Sequence, residues 1–228
     1  MLKTIIVSVA VAVSAWLIGS AAHAHYVWLE RGGDGVTRVY FGEWQLDIRE
    51  KTGGLLDRIK TPRAFVALTN QDLLVQRRTD HLTIAFKGTG DLRLVESGIA
   101  PREDKEKGGA TRTIYYAKAG RSETAAKLDL ELVPTTSNGN TFVLLFRGGP
   151  LPKTSVTVYG PPKWEKPLDT DEQGRITVPT PWSGRYVLEV VYFEQKAGET
   201  AGQKFDRTRH IATLSFVNAK GQPPPVSR

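Results

Sequence analysis

The chain has four histidines, and two of them, His23 and His25, stand two residues apart in Ala22-His23-Ala24-His25-Tyr26-Val27-Trp28-Leu29-Glu30. Residues before them read as an export signal, so this stretch decides which residue becomes the N-terminus. Cleavage after Ala24 gives His25 a free α-amine, and amine and imidazole can then chelate one metal ion as a bidentate unit. Cleavage after Ala22 puts a histidine in third place, where the amine, two backbone amides and the ring form a square-planar set suited to Cu(II) or Ni(II). The chain has no cysteine, and its single methionine is Met1. A soft Cu(I) site is therefore excluded, and any metal must be held by imidazole, amine, carboxylate, carbonyl or water.

Glu30 and Glu43 are the carboxylates nearest in sequence, and Glu43 stands beside Trp44 at a strand end. A bare glutamate in that place is more often solvated than coordinating. His81 follows Asp80, which can orient its ring as a carboxylate partner of a metal-bound imidazole; a plain strand-edge histidine is the blander reading. His210 lies mid-strand between Arg209 and Ile211 and reads as outward-facing. The candidate metal ligands are thus His25, His23, Glu43, His81 and His210, and a site that adds His81 or His210 to the first stretch must combine residues far apart in the chain. Asp169, Asp171 and Glu172 ahead of Gly174 superficially resemble a calcium loop, but the distal ligands are missing, and a structural turn is the better reading. No G-x-S-x-G, H-E-x-x-H or phosphate-cradling loop occurs, so no catalytic residues are expected. One enzymatic alternative is a copper histidine brace, which needs His81 or His210 to face His25.

The elements that must position these groups follow from the rest of the chain. Lys3, the apolar run Ile5–Ile18 and the small residues Ala22 and Ala24 make residues 1–24 a cleavable signal. The run is too short for a span of ~20 residues, so no membrane span is expected. The net charge of +7 comes from interspersed basic and acidic residues and indicates solubility rather than a nucleic-acid surface. After the signal, short β-type runs separated by turn residues recur with almost no helical periodicity, which predicts an all-β fold built from β-sandwich domains. The expected runs begin at His25–Glu30 and Val36–Phe41, a hairpin that returns Glu43 towards His25. They continue at 64–68, 73–76, 81–86, 92–95 and 111–116. Leu128, Leu130 and Leu132 alternate with Asp129 and Glu131 as a half-buried strand. The expected organisation is a signal over 1–24, a first β-sandwich over 25–134, a second over 141–218, and a disordered tail over 219–228.

Three stretches carry a resemblance. "HYVWLE", "VYFGEWQLDIRE" and "GGLLDRIKTP" resemble a secreted bacterial family of unknown function that was formerly described as the periplasmic component of a cobalt/nickel transport system. "LPKTSVTVYGPPKWEKPLDTDEQGRITVPTPWSGRYVLEVVYFE" resembles that family's C-terminal half and also a transthyretin-like or carboxypeptidase-regulatory-like β-sandwich. The resemblance implies two β-sandwich domains, the second transthyretin-like or Ig-like, in the periplasm. It also implies a role in binding or delivering cobalt or nickel, near an outer-membrane receptor or transporter; together with the donor set read above, the expectation is a non-catalytic protein for uptake or delivery of Ni(II), Co(II) or Cu(II). A histidine is common in the family after "YVLEV"; here Tyr192-Phe193-Glu194 stands there, and Glu194 or nothing replaces it if that position is a ligand. The alternative is a β-sandwich module that binds a protein or glycan without metal.

Overall fold

Two strands are buried on both sides, and they locate the middle of the molecule. Along Ala110–Ala119, Ile114 and Tyr116 enter one hydrophobic core, while Tyr115, Ala117 and Ala119 enter another. Along Arg207–Asn218, Ala212, Leu214 and Phe216 join the first of these cores and Ile211 the second. Parallel strands are normally covered on both faces. These two do pair in parallel, from Thr111↔Arg207 to Ala119↔Ser215.

The computed structural model describes residues 25–67, 72–105 and 108–225. In chain order the strands are β1 (Tyr26–Arg31), β2 (Val36–Glu43), β3 (Ile48–Arg49), β4 (Arg63–Val66), β5 (Asp72–Leu73), β6 (Val75–Arg77) and β7 (Leu82–Ala85). Then come β8 (Leu92–Glu96), β9 (Arg102–Glu103), β10 (Ala110–Ala119), β11 (Leu130–Pro134), β12 (Thr141–Phe146), β13 (Gly149–Pro150) and β14 (Ser155–Gly160). The last are β15 (Trp164–Asp169), β16 (Arg175–Thr177), β17 (Gly184–Glu194), β18 (Gly198–Thr200), β19 (Gln203–Phe205) and β20 (Arg207–Asn218). Strands make up 54% of the structure and helix 4%, so the all-β, sandwich-like class is observed. No helix among the described residues is long and apolar enough to cross a membrane.

A nine-stranded sheet in the order β15-β14-β17-β20-β10-β8-β4-β5, with β9 on β10, forms the centre. One of its faces is covered by β11, β12, β13 and β16; the other meets the sheet β1-β2-β7-β6 with β3. The central sheet therefore draws β4, β8 and β10 from the stretch 25–134 and β14, β15, β17 and β20 from 141–218. β11, expected as the closing strand of the first stretch, pairs instead with β12 of the second. At the start of the expected tail the chain is tied to the turn before β17. Gln222 donates to the Pro181 carbonyl at 2.8 Å and accepts from the Ser183 amide at 2.7 Å, so it is hydrogen-bonded rather than free. The expected signal over 1–24, including His23, lies outside the described residues.

β1 is the edge of its sheet, and an edge strand exposes unpaired backbone groups. Here β20 covers them with side chains. The Thr213 hydroxyl donates to the Val27 carbonyl at 2.7 Å, and the Ser215 hydroxyl donates to that of Leu29. That docking fixes the start of the chain against the central sheet.

Candidate functional site

The pairing of β1 with β2 runs from Tyr26↔Gly42 to Arg31↔Thr37, so the residue before Tyr26 comes opposite the one after Gly42. His25 and Glu43 meet in this way, with His25 Nδ1 3.2 Å from Glu43 Oε1. The chain then turns back through a 3-10 turn at Trp44–Leu46 and β3, and the Glu50 amide donates to the Phe41 carbonyl at 2.8 Å. Glu50 thereby reaches the other side of the ring, with Oε1 2.6 Å from His25 Nε2. Gly42 makes the reversal possible. Its φ is +144°, and a Cβ there would lie 2.1 Å from the Ile48 carbonyl oxygen.

Tyr26 secures the turn from below. Its hydroxyl accepts from the Trp44 amide at 2.9 Å and donates to Gln45 Oε1 at 2.6 Å, while its ring stacks on Tyr159. Lys163 holds the turn from outside through Asp47 at 2.6 Å and the Trp44 carbonyl at 3.1 Å. The ring of His25 also rests edge-on against Phe41, 5.5 Å between centroids.

A neutral imidazole carries one proton. If Nε2 donates it to Glu50, the Nδ1 lone pair faces the Glu43 carboxylate, and two acceptors stand 3.2 Å apart. A proton or a cation must lie between them. Even a protonated ring leaves one positive charge between two carboxylates. Among the described residues Glu43 Oε2 has no hydrogen-bond partner, and its side chain is only 7% exposed. A buried carboxylate oxygen without a donor costs free energy unless something cationic meets it.

A third carboxyl lies behind this pair. Glu189 of β17 accepts from the Tyr159 hydroxyl at 3.0 Å. Burial pushes its pKa up from 4.5 to about 7, and the charges of Glu43 and Glu165 add to the rise. Burial, with Glu189 next, also raises Tyr26 and Tyr159 well above the ordinary tyrosine value, so both stay neutral donors. The Tyr159 hydroxyl and the charge of Arg209 pull Glu189 the other way without offsetting its burial.

The remaining candidates lie elsewhere. β2 and β7 pair from Val36↔Ala85 to Val39↔Leu82, and His81 packs on Tyr40, 5.6 Å between centroids, on the face opposite Phe41 and His25. Its Nδ1 is 2.6 Å from Asp80, as a carboxylate-oriented ring would be. His210 was expected to face outward, but it is 1% exposed. Its strand is covered on both faces, and its ring lies in the core with Tyr116, Phe146 and Tyr192. Burial lowers its pKa, so the ring is held neutral between the Tyr116 hydroxyl at 3.0 Å and Glu194 at 3.3 Å. Glu194 is further engaged by Arg147 at 2.7 Å, away from His25. The three described histidines thus occupy three different faces of two sheets, and the facing pair that a histidine brace requires does not form. Among the described residues no group of three or more His, Asp or Glu side chains is arranged to hold a metal ion.

Glu30 is also remote, taken by the Trp28 indole at 2.9 Å and by Arg185 at 3.6 Å. Asp171 caps its own turn by accepting from the Gln173 and Arg175 amides, the structural role expected of it. Sequence reasoning passed over Glu50 and Glu189. Glu50 could have been found by carrying the β2 reversal three residues further. Glu189 is a lone carboxylate in the apolar run Tyr186–Val191, an anomaly for a strand covered on both faces.

No curated protein and no solved structure matches the chain. A family model described as "Domain of unknown function (DUF4198)" matches residues 42–194, a span that begins beside Glu43, holds Glu50 and Glu189, and leaves out His25. Covering more than half of the chain, that match makes this protein a member of the family of unknown function.

Proposed function

We propose that this protein is an exported, periplasmic, non-catalytic metal-binding protein that takes up or delivers a divalent cation, Ni(II), Co(II) or Cu(II), at its first strand. The observation that carries the reading is the buried, unpartnered Oε2 of Glu43 beside the Nδ1 face of His25. The donor set is nitrogen and oxygen only, which suits these borderline ions. With His25 as the first residue, its α-amine and Nδ1 would hold the ion together with Glu43. Glu50 would accept the Nε2 proton and orient the ring, as carboxylates commonly do behind metal-bound histidines. Glu189, held protonated by burial up to about pH 7, stands behind the site, and Tyr26 keeps the Glu43 turn in place. An outer-membrane receptor or transporter would be the partner in such a role.

The test uses two forms of the full processed chain, one beginning at His25 and one with a single additional residue in front. Each is titrated with Ni(II), Co(II) and Cu(II) by calorimetry. The His25-first form is expected to bind one ion at least about tenfold more tightly. Equal, weak binding by both forms would overturn the N-terminal site and leave the protein- or glycan-binding module as the better reading.

A further inference from the structure

The central sheet has an opening where β10 stops. β10 pairs with β20 as far as Ala119↔Ser215, and Gly120 then turns away at φ +109° while β20 runs on to Asn218. Only glycine fits this turn, because a Cβ on residue 120 would lie 2.4 Å from Asp91 Oδ1. Beyond this point Phe216 and Val217 have no β10 neighbour. A cavity of about 260 Å³ fills the gap, and its lining includes Arg31, Arg121 and Arg185 but no aspartate or glutamate.

The three guanidinium groups are held in place with little counter-charge. Arg31 donates to the carbonyls of Gly90 at 2.8 Å and Gly88 at 2.5 Å. Arg121 lies over the Phe216 ring at 4.2 Å and donates to the Gly139 carbonyl and the Asn140 side chain. Those acceptors are all neutral, and among the described residues neither arginine has a carboxylate partner. Arg185 has Glu30 at 3.6 Å, but Glu30 is shared with Arg49 at 3.7 Å. Burial alone lowers the Arg121 pKa, and burial outweighs Glu30 at Arg185, so both cations have lost water without gaining a full counter-charge.

We propose that this cavity is a binding site for a small organic or inorganic oxyanion, a carboxylate or a phosphate. Guanidinium forks match the paired oxygens of both groups, and the bonds are charge-assisted. Phe216, Val217 and Ala119 add an apolar wall that can accept a short carbon skeleton beside the charged head. The site stands on other residues than the His25 centre, so neither proposal depends on the other.

Calorimetry of the full processed chain with succinate, citrate and inorganic phosphate, at constant ionic strength set with chloride, tests it. Saturable binding with a Kd of about 1 mM or below is expected for at least one of the three anions. A succinate or citrate response alone identifies a carboxylate ligand, and a phosphate response alone a phosphate ligand. Arg121→Gln and Arg31→Gln should each weaken that binding about tenfold, while Lys153→Gln, on the exposed surface, should leave it unchanged. Amide NMR shifts of the wild-type chain give a readout independent of any variant, and should move at Gly120 and Val217. Heat no different from chloride, or shifts spread over surface lysines with Gly120 unmoved, would overturn the proposal.

Discussion

A single imidazole between two carboxylates is a residue-scale problem of proton supply. His25 has one or two protons to give, Glu43 and Glu50 each seek one, and Glu43 Oε2 receives none. Glu189 shows how strongly this end of the fold resists further negative charge. Its pKa of about 7 against an ordinary 4.5 means that between those values the unfolded chain ionises the group while the folded chain keeps the proton. The folded state then binds more protons than the unfolded one, so stability falls as pH rises. The favourable contribution is complete below about pH 4.5 and is lost by pH 7, a change of about 2 kcal/mol after allowing for the partial exposure of the group. Urea unfolding at pH 5 and pH 8 should show this decline in the wild-type chain and a flatter profile in Glu189→Gln. Parallel profiles would assign the titration to another group.

At the scale of elements, β11 shows where local pattern misleads. The alternation of Leu128, Leu130 and Leu132 with Asp129 and Glu131 correctly marks a strand, but it predicts Glu131 in solvent, and Glu131 is 2% exposed. Arg93 from β8 donates to it at 2.9 Å, Lys118 from β10 lies 3.2 Å away, and the Lys127 and Leu128 amides donate to its second oxygen. Lys118 also meets Asp91 at 3.3 Å, and Arg93 meets Glu123 at 2.6 Å, closing a satisfied ionic network beneath the segment that leads into β11. Its members come from strands distant in sequence, and a residue pattern with a period of two holds no record of a partner on another strand. Glu131→Ala leaves two buried cations short of a counter-charge and should cost about 3–5 kcal/mol. The free energy of unfolding in denaturant measures it, and a loss below about 1 kcal/mol would mean that the network contributes only packing.

Across the whole molecule, the runs of β-forming residues and the β1–β2 hairpin were legible in the sequence, because each is set by neighbours along the chain. The return of Glu43 to His25 followed from that hairpin alone. The shared central sheet was not legible. The parallel pairing of β10 with β20 joins residues about a hundred positions apart, and that contact buries His210, whose place mid-strand between Arg209 and Ile211 read as outward-facing. The same sheets keep His81 and His210 away from His25, so a metal at the first strand must rely on Glu43 rather than on a second histidine. Calorimetric titration of Ni(II) into the chain beginning at His25, wild type against Glu43→Gln, tests this most directly. One ion per chain is expected in the wild type, with affinity reduced at least about tenfold by the amide. An unchanged affinity and stoichiometry in Glu43→Gln would contradict the account.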